Sequence, residues 1–142
     1  MATTEHRRHF LDSNVLLHVL SGDDARIAAV QALLRTRPLL SVQVLNEVTH
    51  VCRRTLRMDW GEIDEFLSIL RFFCKVAPLT VEVHDRARSL AARYQLAFYD
   101  ACIAGAALLS GCDVLYSEDM NPGLVLEEKL RIVNPFLHQT AT

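Results

Sequence analysis

The stretch F-Y-D-A-C-I-A-G-A-A-L-L-S-G-C-D-V-L-Y-S-E-D-M-N, residues 98–121, decides how the chain folds. Asp100 opens a helix built of small residues, and Gly111 ends it. Asp113 to Tyr116 is a short apolar run with the character of a buried strand. Ser117, Asp119 and Asn121 follow as a polar cluster just past its C-terminal end. In an open α/β sheet, ligands bind outside the carboxyl ends of the strands. Asp100 and Asp119 are therefore aimed at one place by adjacent elements.

Working outward, the same alternation recurs. His9-Phe10-Leu11 predicts a short strand ending on the carboxylate of Asp12. A short helix is expected from Asn14 to Leu20, and a second one capped by Asp23 or Asp24 and stopped by Pro38. Leu39-Leu40 is a second strand, after which Ser41 caps a helix from Val42 to about Leu56. Val44, Val48, Val51, Cys52 and Thr55 form the apolar face of that helix, with Glu47 about a quarter turn away. His50, Arg54 and Arg57 share the side of Glu47. Asp59 caps a further helix through Phe73, Lys75 to Leu79 reads as a third strand, and Thr80 caps a helix to Tyr94. Beyond Pro122-Gly123, Arg131-Ile132-Val133 reads as an edge strand. Strands separated by helices imply an α/β fold with a central parallel sheet and right-handed crossovers. No repeat, low-complexity tract or linker interrupts residues 1–142, so one domain is expected.

Composition narrows the function classes. The hydrophobic fraction of 51% and charged fraction of 23% describe a globular chain. A net charge of −2 advertises neither nucleic-acid nor membrane binding, so an anionic partner would need a local basic patch. Cys52, Cys74, Cys102 and Cys112 lie in apolar stretches without C-x-x-C spacing, which points to buried thiols in a reducing cytoplasm. The histidines show no H-x-x-x-H pair, which argues against zinc. Arg7 and Arg8 before an apolar run resemble the start of a signal peptide, but Asp12 and Asn14 interrupt the run. No uncharged apolar run approaches the ~20 residues of a membrane span. His6 to His9 form a basic start that reads as solvated.

Asp12, Glu47, Asp100 and Asp119 stand out together. If the strands before Asp12 and Asp119 are neighbours, all converge on one crevice. Two like charges ~4 Å apart repel by about 4 kcal/mol at an effective dielectric near 20, so such a cluster calls for protons or a cation. Oxygen ligands without His or Cys suit Mg²⁺ or Mn²⁺. Taken singly, Asp12, Asp100 and Ser117 read as caps, and Glu47 as a surface partner of Arg54. From spacing alone, a metal-dependent hydrolase and a structural set of acids fit equally well.

The ordered set F-L-D-S-N-V-L-L (10–17), V-L-N-E-V (44–48), F-Y-D-A-C-I-A-G-A-A (98–107) and L-Y-S-E-D-M-N (115–121) resembles the PIN domain, specifically the toxin ribonucleases of VapBC toxin–antitoxin pairs. The resemblance covers nearly the whole chain. It implies metal-ligand roles for Asp12, Glu47, Asp100 and Asp119, and accessory polar roles for Asn14, Ser117 and Asn121. It further implies an α/β/α sandwich, Mg²⁺ or Mn²⁺ as cofactor, an RNA substrate, a homodimer and a cognate antitoxin that blocks the site. At the position of Asn121 the family often carries another acid, which bears on the affinity of a second ion.

Arg54 and Arg57 are candidates for gripping RNA phosphates. Tyr99 reads first as core packing and second as a ring on which a base stacks. Phe72 lies off the apolar stripe of its helix, so that helix would show hydrophobic area to a partner. Two other readings compete: a catalytically inactive PIN-like interaction module, and a nuclease acting on DNA or flaps. A receiver domain or a haloacid-dehalogenase-type phosphatase fits poorly, because Asp12-Ser13-Asn14 ends in an amide where the latter needs D-x-D.

Overall fold

The computed structural model describes residues 8–137. Strand β1 (His9–Leu11) is the middle of the molecule. Phe10 and Leu11 are fully buried, as expected of a parallel strand covered on both faces. The chain then runs through α1 (Ser13–Leu16), a 3-10 turn over Leu17–Leu20, and α2 (Asp24–Arg35) to β2 (Leu39–Ser41). Helices α3 (Val42–Arg54) and α4 (Trp60–Phe73) lead to β3 (Lys75–Ala77). Helices α5 (Val81–Tyr94) and α6 (Phe98–Leu109) lead to β4 (Val114–Tyr116), and β5 (Val125–Leu126) and β6 (Leu130–Val133) close the chain.

The sheet order is β3-β2-β1-β4-β6-β5, parallel except for the β5–β6 pair. The chain leaves β1 on one side to build β2 and β3, then returns to add β4 on the other. The boundary between β1 and β4 is thus the topological switch point, where open α/β sheets bind ligands. Leu11 pairs with Tyr116 in register, and Asp12 N–H donates to the Tyr116 carbonyl at 3.0 Å.

Local chemistry sets the helix ends. Asp23, Ser41, Asp59 and Thr80 each accept a backbone N–H of the first turn, and Asp59 and Glu62 form a reciprocal capping box. Helix α6 is buried over Ala101–Leu108, which its small residues permit. A Cβ on Gly105 would stand 3.4 Å from the Val83 carbonyl, so the glycine allows α6 to lie directly on the backbone of α5. Gly111 adopts φ +79°; its N–H reaches the Leu108 carbonyl and Cys112 N–H reaches that of Ala107, the double closure of a Schellman end.

Several expected boundaries move. The helix expected over Asn14–Leu20 breaks after one turn into the 3-10 segment. The helix on Ser41 stops at Arg54, with Thr55 exposed and Arg57 at φ 57°. The third strand ends at Ala77, before Pro78. Arg131–Val133 is not an edge: β6 is flanked by β4 and by β5, a two-residue strand that carries no sequence pattern of its own. Its hairpin turns on Glu127 and Glu128, both at positive φ, where Asn-Gly chemistry would be expected. Tertiary contacts hold this turn: Tyr94 Oη accepts Glu127 N–H at 2.8 Å, and Arg86 pairs with the Glu127 carboxylate at 3.0 Å.

All four cysteines are buried free thiols, as expected. No helix among the described residues is long and apolar enough to cross a membrane. His6 and Arg7 lie outside the described residues; Arg8 is exposed and His9 belongs to β1.

Candidate active site

Asp12 leaves the end of β1, is 2% exposed and caps α1. Four donors hold its carboxylate. Oδ1 accepts Ser13 N–H at 2.7 Å and Ser13 Oγ at 3.3 Å; Oδ2 accepts Ser117 Oγ at 2.8 Å and Asn14 Nδ2 at 3.3 Å. Burial is the main reason its pKa rises from 3.8 to about 6. The Ser117 and Ser13 bonds oppose that rise, and the charges of Asp100 and Glu47 add to it. Asp12 is therefore both a cap and a member of an acidic cluster.

Asp100 sits in the first turn of α6 but does not cap it; the cap residue is Ala97, which makes no side-chain bond. Burial raises the Asp100 carboxyl first, followed by the charges of Asp119 and Glu47. Glu47 projects from α3: its Oε1 accepts Ser13 Oγ at 2.8 Å and its Oε2 accepts Gln43 Nε2 at 3.0 Å. The expected alternative pairing of Glu47 with Arg54 does not form. Asp119 is exposed at the crevice mouth, one residue beyond Glu118 in the segment that leaves β4.

Ser117 and Asn14 tie the cluster together. Besides donating to Asp12, Ser117 Oγ accepts Asp119 N–H at 3.2 Å and Met120 N–H at 3.4 Å. Asn14 Oδ1 accepts Glu118 N–H at 3.1 Å, which orients its amide nitrogen toward Asp12. Asn121 is exposed, and its side chain stands outside this network.

Residues that sequence reasoning passed over complete the frame. The Ser13 hydroxyl links α1 to α3 through Glu47. Glu118 is gripped by His18 Nε2 and by Arg26 Nη1, both at 2.6 Å, which straps the segment after β4 to the 3-10 turn and α2. Arg26 also lies over the Phe136 ring at 4.7 Å. The position of Glu118 between Ser117 and Asp119 was the available sequence signal, but its partners lie about a hundred residues upstream.

Among the described residues, no ion pair neutralises Asp12, Glu47, Asp100 or Asp119, whereas neighbouring Glu118 is paired with the Arg26 guanidinium and bonded to the His18 ring. This concentration of unpaired carboxylate charge suits a hard divalent cation. Among the same residues, no three His, Cys, Asp or Glu side chains are placed so that they could hold a metal ion as they stand. The acids thus match such an ion in chemistry and charge, but not as a closed coordination shell.

Arg54 and Arg57, with Arg53, line a separate basic crevice of about 620 Å³. Arg54 stands seven residues along α3 from Glu47, about 10 Å at helical rise. Tyr99 is not core: it is 64% exposed and lines a cavity of about 600 Å³ beside Glu47 and Ser13. Phe72 is exposed on α4 as expected, at 68%, and Trp60 at the start of the same helix is exposed as well.

A family model described as PIN domain matches residues 9–122, and the chain belongs to the PIN domain family. Its structural neighbours are VapC and VapBC toxin–antitoxin proteins. A toxin–antitoxin complex from Klebsiella pneumoniae superposes with a TM-score of 0.69 at 18% identity, over 89% of this chain and 97% of that one. VapC20 of Mycobacterium tuberculosis, described as a sarcin-ricin loop cleaving toxin, gives 0.63 at 21% identity, over 80% and 91%. DNA-bound VapBC from Salmonella typhimurium gives 0.62 at 19%, over 91% and 98%. At these identities the likeness speaks for the fold. No curated protein sequence matches the chain.

Proposed function

We propose that the chain is a metal-dependent endoribonuclease, the toxin of a toxin–antitoxin pair, with Asp12, Glu47, Asp100 and Asp119 as its acidic centre. The observation that carries this reading is the unpaired charge of these acids at the β1–β4 switch point of a PIN fold. A bound Mg²⁺ or Mn²⁺ would supply charge neutralisation and an activated water for attack on a phosphodiester. The chain's own residues do the positioning. Ser13, Asn14 and Ser117 fix the Asp12 carboxylate from three directions. Ser13 and Gln43 hold Glu47 facing it, and Asp100 presents its carboxylate from the first turn of α6. Asp119, exposed at the mouth, is the acid best placed to meet an incoming substrate.

The partner assignments follow the same reading: an RNA substrate, a cognate antitoxin covering the crevice, and a homodimer. The neighbouring toxin–antitoxin complexes support the antitoxin, and the exposed Trp60 and Phe72 offer protein-binding area. The complete acid set argues against an inactive PIN-like module. Purified chain incubated with RNA should cleave it when Mg²⁺ or Mn²⁺ is present and stop on addition of EDTA. Undiminished cleavage by metal-stripped protein would remove the metal-dependent reading, and cleavage of single-stranded DNA alone would favour the DNA nuclease.

A further inference from the structure

The cavity beside the acids has a composition that phosphodiester chemistry by itself does not require. It measures about 600 Å³ and is lined by Ser13, Gln43, Asn46, Glu47, His50, Val51 and Tyr99. Gln43, Asn46, Glu47 and His50 fall at i, i+3, i+4 and i+7 on α3, so they form one polar helix face turned to the cavity. Gln43 is engaged with Glu47, whereas Asn46 and His50 have no hydrogen-bond partner among the described residues and are exposed. Across from them stands Tyr99, 64% exposed at the start of α6. Its ring lies 5.9 Å from that of Phe98, which in turn packs on His84 at 5.5 Å. An exposed aromatic row thus begins one residue from Asp100.

We propose that this cavity is a nucleobase subsite, resting on the ribonuclease reading above: an unpaired base of single-stranded RNA stacks on Tyr99 while the adjoining phosphate faces the acids. Asn46 carries amide donor and acceptor atoms and His50 two ring nitrogens, which suits both to the edge of that base. Single-stranded RNA is recognised chiefly by stacking unpaired bases on aromatic rings and bonding their edges. The shared lining residues Ser13 and Glu47 join this subsite to the acidic centre. Continuity with the acids is what favours a nucleotide here: a base in the cavity leaves its own phosphate beside Ser13 and Glu47, where the proposed cation would meet it. The consequence is a preference for unpaired RNA, with bases distinguished at one position beside the cut.

The test measures binding of labelled oligoadenylate, oligouridylate and a blunt RNA duplex by fluorescence anisotropy with Mg²⁺ present. It is done in an Asp100→Asn background, which prevents turnover and lowers the charge facing phosphate. Adding Tyr99→Leu should weaken single-strand binding about tenfold, the scale of one lost base–aromatic stack, and leave duplex binding unchanged. Tyr99→Phe keeps the ring and should retain binding; circular dichroism of each variant verifies the fold. Equal single-strand affinity with and without the ring overturns the subsite, and so does a Tyr99→Leu effect confined to oligomeric state by light scattering, which would assign the surface to a protein contact. The two readings fail separately. Ring-dependent binding by a protein that never cleaves RNA with Mg²⁺ or Mn²⁺ retires the nuclease and keeps the subsite. Cleavage with ring-independent binding does the reverse.

Discussion

The Ser117 hydroxyl donates to Oδ2 of Asp12 across 2.8 Å, joining the ends of β4 and β1 over a sequence separation of 105 residues. The same oxygen accepts the N–H groups of Asp119 and Met120. One small side chain therefore orients a buried carboxylate and shapes the segment that carries another acid. Ser117→Ala removes the donor and leaves two N–H groups without their acceptor. An equilibrium urea titration should show a loss on the order of 1–3 kcal/mol. It should also show weaker Mg²⁺ binding by calorimetry, because Asp12 loses the bond that favours its charged form.

Asp12 gives the stability a definite pH dependence. Its folded pKa of about 6 lies above the ordinary 3.8, so the folded state holds this proton more tightly than the unfolded chain does. The contribution is stabilising at low pH, fades as pH rises from about 4 through 6, and leaves a full penalty on the order of 3 kcal/mol above that. Asp100, also raised, acts in the same direction. In EDTA the melting temperature should fall across this window, and saturating Mg²⁺ should restore it most above pH 6. Melting curves that ignore Mg²⁺ at pH 7.5 would speak against cation binding by these acids.

Substituting the acids separates catalysis from stability. Asp12→Asn and Asp100→Asn should each abolish RNA cleavage while the far-ultraviolet circular dichroism is retained. Without metal, the melting temperature should rise or stay level, because each change removes a carboxylate that burial and its neighbours penalise. The gain from Asp12→Asn should be the smaller part of its penalty, since an amide cannot accept from all of Ser13, Asn14 and Ser117. Turnover close to wild type in either variant would mark that acid as structural.

In a chain of net charge −2, attraction for RNA phosphates must come from local cations. Arg54→Ala, in the crevice shared with Arg53 and Arg57, should weaken RNA binding and reduce its salt dependence by about one unit of log–log slope. Mg²⁺ affinity should stay near wild type, as a guanidinium is no metal ligand. Superimposable salt series for the two proteins would place the RNA path elsewhere around the acids.

The sequence by itself determined most of the elements and the caps that start the helices. Caps such as Ser41, Asp59 and Thr80, the stop at Gly111, and the buried runs at Phe10-Leu11 and Val114-Leu115 act within a few residues, where spacing and side-chain chemistry decide the outcome. The acids were legible for the same reason, since strand ends and helix starts are local features. What the tertiary structure alone decided is which ends meet. Placing β4 beside β1 brought Ser117 onto Asp12 and strapped Glu118 to His18 and Arg26, and packing α1 against α3 brought Ser13 to Glu47. Strand β5 and its Glu127-Glu128 turn were equally invisible, because Tyr94 and Arg86, contacts remote in sequence, hold a conformation that local propensity disfavours. Tyr99 shows the limit from the other side: an aromatic beside an apolar helix looks like core, and only the tertiary structure places its ring in solvent.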